Sequence, residues 1–406
     1  MLIIYNIGIK LYYFIAIIAS FVNTKAKTWV NGRRVQEVTT LPESIWFHFA
    51  SLGEFEQGRP VLEAMKAQYP LYKIVITFFS PSGYEIRKNT PLADFVYYLP
   101  LDTAQNAQQF INTIKPVAAI FTKYEYWYHY FNELHKQHIP LYVISAIFRP
   151  KQIFFKWFGS LHRQILTKVS CFFVQDEASR QLLSTININK VLISGDTRFD
   201  RVYINAQQPK ALPVINDFKN QKPVFVAGST WPADEELIAP LITMYPDWKF
   251  IIAPHEISED KVNKLLSMLP AKKTVRYSSV STLRTPLSNY QVLVIDNIGM
   301  LSSLYQYGDV AYIGGGFGVG IHNTLEAAAF GLPVIFGPNY SRFKEARELV
   351  TLQAGFSIEN AQQLQAISKK LITDAHFRNE AGSVASQFVT ESKGATELIM
   401  SNIVIS

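Results

Sequence analysis

From residue 44 onward, short apolar runs rich in β-branched and aromatic residues alternate with stretches whose apolar positions recur every three or four residues. "SIWFHFAS", "KIVITFF", "FVYYLP", "VAAIFT", "LYVISA", "CFFVQ" and "KVLISG" read as strands. Intervening segments such as "AQNAQQFINTI" read as amphipathic helices. Alternation of this kind predicts βαβ units and a parallel sheet. The polar, proline-containing stretch 203–223 reads as a linker. The alternation then restarts with "PVFVAGS", "KFIIAPH", "QVLVID", "VAYIGGG" and "LPVIFG", and the last segment reads as closing helices. The pattern therefore predicts two α/β domains, residues 25–205 and 206–406, whose strand-end loops face a cleft. A length of 406 residues agrees, being long for a single core.

Ahead of the first strand the pattern changes. Residues 2–22 form an apolar run about 30 Å long as a helix, enough to cross the hydrocarbon core of a bilayer. Asn6 and Lys10 interrupt it, which leaves a shallow interfacial helix as an alternative. A buried helix is a third reading. A cleaved signal peptide would carry a basic residue ahead of the run, and none is present. Lys25, Lys27, Arg33 and Arg34 follow, placing the rest of the chain on the cytoplasmic side. Segment 1–24 is thus predicted to be a membrane anchor helix.

The net charge of +7 favours anionic partners. No zinc-finger spacing, RNA-recognition signature or basic-region heptad is found, so nucleic acid ranks behind a membrane surface or a phosphorylated substrate. The single cysteine, Cys171, cannot build a disulfide framework or a cysteine metal site, and reads as a buried strand residue.

Two stretches carry candidate chemistry. In "FHFASLGEFEQGRPVLEAM" (47–65), Ser51 and Glu54 fit a capping box, S-x-x-E. Glu54 also follows a predicted strand directly, at the carboxyl edge of a parallel sheet, where ligands bind in open α/β folds. It reads both as a helix start and as a base. In "YIGGGFGVGIHNTLEAAAFGLPVIFGPNYSRFKEARELV" (312–350), glycines after a strand let backbone N–H groups approach an anion. The helix starting near His322-Asn323 is expected to point its positive end there, and Glu326 to accept from ribose hydroxyls. A tight β–α turn with a buried glutamate would look the same. The spacing is neither G-x-G-x-x-G near a first strand nor a Walker loop.

"HFASLGE", "YEYW", "GDTRFDRV", "AGSTWPADEE", "IIAPHE" and "IGGGFGVGIHNTLEAAAFGLPVIFGPN" occur in this order. The arrangement resembles the 3-deoxy-D-manno-octulosonic acid (Kdo) transferases of lipopolysaccharide synthesis over nearly the whole chain. The resemblance implies a GT-B fold with two Rossmann-like domains, the acceptor on the first and CMP-Kdo on the second. It also implies inverting transfer onto the lipid A precursor at the cytoplasmic face of the inner membrane, with no cofactor and no metal in the transfer step. By the same resemblance Glu54 and Glu125 are the catalytic acids. Arg198, Ser229, Thr230, Pro254, His255, Gly315, Gly316, His322, Asn323 and Glu326 bind the nucleotide sugar.

Three departures stand out. Lys123 replaces the first acid of E-x-E-x-W, His255-Glu256 stands where Arg-His often follows proline, and Met300 replaces a usual glutamate. Glu54, at a helix N-terminus, is expected to stay ionised and so to be a weaker base. Glu56 reads as a solvated helix residue. The alternatives are another GT-B-type enzyme, such as a lipid glycosyltransferase or a nucleotide-sugar 2-epimerase, and a catalytically silent membrane-associated nucleotide-binding protein.

Overall fold

In the computed structural model, which describes residues 1–405, each round of alternation folds into a sheet of seven parallel strands. The first holds β1 (Ser44–Phe49), β2 (Lys73–Phe78), β3 (Phe95–Tyr98), β4 (Pro116–Thr122), β5 (Leu141–Ala146), β6 (Cys171–Val174) and β7 (Val191–Ile193). Their order is β3-β2-β1-β4-β5-β6-β7. The second holds β8 (Val224–Thr230), β9 (Lys249–Pro254), β10 (Thr274–Arg276), β11 (Val292–Val294), β12 (Val310–Ile313), β13 (Val334–Phe336) and β14 (Gly355–Ser357). Its order is β10-β11-β9-β8-β12-β13-β14. The strand order reverses between β1 and β4 in one sheet and between β8 and β12 in the other. Crossovers in parallel sheets are right-handed, so helices leave opposite faces at such a point and open a crevice at the strand ends.

β1 is buried along its whole length because both faces are covered. Trp46 packs with Phe110, Phe121 and Tyr130 on one side. Ile45, Phe47 and Phe49 pack with Phe55, Ile76 and Phe78 on the other. His48 therefore shares the face of Trp46.

All twelve predicted strands are present. The two that the pattern missed, β10 and β14, are edge strands with a single large apolar residue each, Val275 and Phe356, and so leave no apolar run. The predicted linker is mostly helical. The helix Thr197–Gln207 runs into it, and Pro213–Lys219 forms another that buries Ile215 and Phe218. Cys171 opens β6 and is only half-buried.

The chain divides into two units, one of Met1–Arg201 with the segment from Lys393 on, the other of Val202–Ser392. The closing segment thus departs from the expectation that residues 206–406 form one domain. Its helix, Ala395–Asn402, buries Ile399, and Ile399 and Ile403 pack into the core cluster of Ile45, Phe47 and Phe55.

The N-terminal helix α1 (Leu2–Ala19) is followed by α2 (Thr24–Val35). α1 is long and apolar enough to cross a membrane and buries no residue in the protein. Yet one of its faces is bonded to the first unit. Tyr5 Oη donates to Asp102 Oδ2, His129 Nε2 pairs with Asn6 Oδ1 at 2.6 Å, and Arg34 Nε donates to Tyr13 Oη at 3.4 Å. Ile4, Ile7, Leu11, Ile15 and Ile18 are exposed. Their spacing makes one stripe on the helix. Of the four cations that follow α1, Arg33 does not face outward. Its guanidinium donates to the carbonyls of Trp29, Phe79 and Leu99 and stacks over the Trp29 ring at 3.9 Å.

The closing helix is tied down by one carboxylate. Asp200 accepts from Gly394 N at 2.6 Å, Thr396 N at 2.7 Å and Thr396 Oγ1 at 2.6 Å. Asp200→Ala strands these donors and should lower unfolding stability by about 1–3 kcal/mol. Limited proteolysis near Lys393 should accelerate with it, which denaturant melts and peptide mapping will check.

Candidate active site

Glu54 lies in the first turn of α3 (Leu52–Gln68), reached by an abrupt turn out of β1. The expected capping box is only half made. The Ser51 side chain forms no cap bond, while Glu54 Oε2 accepts the Ala50 N–H at 2.6 Å, one residue ahead of the N-cap. Burial pushes the Glu54 carboxyl up to about 7. The Ala50 N–H and the charge of Lys123 oppose the shift, and the charge of Glu125 adds to it. The expectation of a firmly ionised, weak base is thus overturned, because desolvation outweighs the helix terminus. A carboxylate with this affinity is matched to general-base work near neutral pH.

Glu125 sits in the turn after β4, across the switch point from Glu54. Its Oε2 accepts from Trp127 Nε1 at 3.0 Å and faces His48 Nε2 at 3.5 Å. Lys123, at the end of β4, takes up a left-handed backbone with φ 61°. It is more than a lost acid, since its charge acts on both Glu54 and Asp196. Strained non-glycine residues of this kind cluster at functional sites.

Arg198 belongs to this unit. Its Nε and Nη2 donate to Asp196 Oδ2 at 2.9 and 2.7 Å, while its backbone N–H and Gln57 Nε2 each reach Asp196 Oδ1 at 2.9 Å. Burial would raise the Asp196 carboxyl, but the charge and hydrogen bonds of Arg198 outweigh it and hold it below the ordinary value. Glu56 is not simply solvated, because Arg87 Nη2 meets its Oε1 at 2.5 Å and Arg59 approaches at 3.6 Å.

In the second unit Ser229, Thr230, Pro254, His255, Gly315, Gly316, His322 and Asn323 lie at the carboxyl ends of β8, β9 and β12 or in the loops that follow, and Glu326 in the first turn of the helix after β12. Ser229 has a left-handed backbone with φ 52°. Thr230 Oγ1 donates to Glu235 Oε1 at 3.0 Å. The glycines are required here by close packing. A Cβ at Gly314 would lie 2.2 Å from Ser229 O, and one at Gly316 2.6 Å from the Gly337 backbone. The Gly315 N–H is taken by Asp234 Oδ2 at 2.9 Å, a buried carboxylate that also accepts from Trp231 N and Tyr312 Oη. The helix after the glycines, Leu325–Ala329, has five residues, so it supplies little of the expected dipole. Asn323, just ahead of the N-cap Thr324, accepts from Leu325 N and donates to Glu326 Oε1 at 3.1 Å.

Trp231, which the pattern did not single out, organises this edge. Its ring stacks on His255 at 4.8 Å, and His255 lies 4.4 Å from His322. Trp231 Nε1 donates to His322 Nε2 at 3.1 Å. His322 therefore carries its proton on Nδ1. Burial, then the neighbouring His255, pulls His322 down to about 4, so it stays a neutral donor. "STWP" held the one available signal, an aromatic directly after a strand end. His48 and Asp196 were likewise missed as functional.

Glu54 offers a direct test. Its folded value of about 7 lies above the ordinary 4.5, so the folded state holds this proton more tightly. Ionising Glu54 therefore costs stability as the pH rises through that window, the reverse of a salt-bridged carboxylate. Carbon-13 NMR of labelled glutamate should show one carboxyl titrating near pH 7, absent from Glu54→Gln. A Glu54 midpoint near the ordinary value would contradict the burial argument.

The model of the family "3-Deoxy-D-manno-octulosonic-acid transferase (kdotransferase)" matches residues 24–201. The chain is 28% identical to the 3-deoxy-D-manno-octulosonic acid transferase of Haemophilus influenzae, across 88% of this chain and 86% of that one. It is 26% identical to the enzyme of the same name from Aquifex aeolicus, across 79% and 84%. Among solved structures, UDP-GlcNAc 2-epimerase from Neisseria meningitidis superposes with a TM-score of 0.62 at 16% identity, across 88% of this chain and 98% of that one. The epimerase of Methanocaldococcus jannaschii follows with a TM-score of 0.54 at 16% identity, across 86% and 98%. At these identities the epimerases speak for a GT-B-like fold alone. The likeness to Kdo transferases thus rests on a family model over the first domain and on sequence similarity over most of the length.

Proposed function

We propose that this protein transfers Kdo from CMP-Kdo to a sugar hydroxyl of the lipid A precursor with inversion, Glu54 acting as base. The observation that carries the proposal is Glu54 itself, a carboxylate raised to about 7 at the β1/β4 switch point, in the segment that resembles the family's catalytic one. In the step, the acceptor oxygen attacks the anomeric carbon, its proton passes to Glu54, and the bond to the phosphate oxygen breaks to release CMP. General-base help of this kind is worth about 10²–10⁴-fold. The His322 Nδ1–H and the loops at the β8/β12 switch point suit the CMP group, and Glu326 suits its ribose. No cofactor enters the proposal.

Incubation with CMP-Kdo and tetra-acylated lipid A precursor, followed by mass spectrometry of the lipid, tests this reading. Glu54→Gln should lower transfer at least about 10²-fold while remaining folded. Epimerisation of a nucleotide sugar without transfer would favour the rival enzyme class, and nucleotide binding without either would favour the silent protein.

The acceptor implied here is embedded in the cytoplasmic leaflet of the inner membrane, and α1 suits that location by lying in the interface rather than across it. A helix bonded along one face to a folded domain through Tyr5, Asn6 and Tyr13 has only its opposite stripe to offer lipid. Lys25, Lys27 and Arg34 are exposed beside it and suit an anionic surface, each adding about 1 kcal/mol. A fluorophore on Leu11→Cys, probed by depth-dependent quenching in anionic vesicles, should lie about 5–10 Å into the headgroup boundary. A depth at the midplane, about 15 Å into the hydrocarbon, would mean that the helix spans.

A further inference from the structure

We propose that His48 is a positioning residue, held by Thr77 as the neutral Nε2–H tautomer so that it orients the Glu125 carboxylate. The inference rests on the reading above, in which Glu125 belongs to the site of transfer.

Trp46 and His48 point to the same face of β1, and His48 is the direct cross-strand partner of Thr77 on β2. Indole N–H can only donate, so Trp46 Nε1 donates to Thr77 Oγ1 at 2.8 Å. The one hydroxyl proton of Thr77 then has two acceptors in reach, His48 Nδ1 at 2.8 Å and Phe47 O at 3.4 Å. The shorter contact wins. Nδ1 is thereby an acceptor, and the ring proton resides on Nε2, the nitrogen that faces Glu125 Oε2. The opposite tautomer would set the Nε2 lone pair against a carboxylate oxygen.

The surroundings keep this arrangement in place. His48 is fully buried, with its ring 4.8 Å from that of Phe121. Burial disfavours the imidazolium and the charge of Arg33 acts in the same direction, while Glu125 and, less, the Thr77 backbone oppose them without prevailing. Around Glu125 the other titratable groups that feel its charge are Glu54, Tyr12 and Tyr126. Trp127 Nε1 donates to the same Glu125 oxygen as His48 does. Two donors on one oxygen leave Oε1 as the free acceptor for a substrate hydroxyl. His48 never touches substrate in this scheme; it acts through Glu125.

Long-range proton–nitrogen correlation spectra of the full chain in detergent read the tautomer without any need for transfer activity. His48 should show the neutral Nε2–H pattern at about pH 8 and still at about pH 6. Thr77→Val, which keeps the shape and removes the hydroxyl, should admit the Nδ1–H form. In transfer assays His48→Leu should lower kcat about 10-fold or more with little change in KM, and His48→Gln, whose amide N–H reaches the Nε2 position, should recover to within about threefold. A wild-type Nδ1–H or imidazolium signal would overturn the proposal. So would a folded His48→Leu enzyme with normal kcat, or a His48→Gln enzyme no better than His48→Leu. If wild-type enzyme transfers nothing to the lipid, the reading of function fails while the spectra still decide the tautomer.

Discussion

The reversal of strand order beside β1 is the constraint on which the rest of the site depends. Parallel strands demand crossovers, and crossovers of one hand leave the two sides of a reversal on opposite faces. The ends of β1 and β4 are therefore not covered by a helix, and the turns that follow them, with Glu54 and Glu125, face each other across the gap. The second sheet repeats the device between β8 and β12, where Ser229–Trp231 meets the glycine loop. In that sheet the crossing is so close that no side chain fits at Gly314 or Gly316. The glycines there are a condition for the loops to meet at all.

Within the first crevice, burial and pairing sort carboxylates of the same chemical kind into different tasks. Asp196 is more deeply buried than Glu54, yet it is held ionised because Arg198 clasps it with charge and hydrogen bonds together. Glu54 has one backbone donor and a more distant lysine, too little to offset its desolvation, and so rises to about 7. Environments that separate proton affinities in this way mark acid–base sites. The third carboxylate, Glu125, is oriented by two N–H donors on one of its oxygens. Around them the non-glycine residues Lys123 and Ser145 adopt left-handed backbones at strand ends. The packed sheet beneath supplies the stability that such strain needs.

The N-terminal helix illustrates the same competition between apolar content and polar detail. Its composition suits a membrane all round, but Tyr5, Asn6 and Tyr13 direct one face onto the protein. Arg33, counted with the surface cations by sequence position, spends its donors on backbone carbonyls and its flat face on Trp29. Charge assigned by position in the chain is thus not charge available to a partner.

Periodicity alone determined twelve of the strands and the doubling of the α/β pattern, because consecutive β-branched, aromatic and aliphatic residues favour a strand wherever it ends up. It did not reach β10 or β14, which hold one large apolar residue each, nor the helix in residues 213–219, whose Ile215 and Phe218 are set among linker-like prolines and polar residues. Which unit the closing helix joins depends on the contacts of Ile399 and Ile403 with β1 and α3, and no local pattern encodes a partner that far away in the chain. The same holds for the chemistry. That Glu54 follows a strand is legible in "HFASLGE". That it holds its proton near neutrality depends on how many neighbours exclude water from it and how few donors compensate. His48 reads as one polar residue in an apolar strand until Thr77, from a strand nearly thirty residues on, and Glu125, from a turn after a third, are brought to its two nitrogens. Local sequence specifies elements through short-range sterics and hydrophobic spacing, whereas proton affinities and tautomers answer to groups that only the folded sheet brings together.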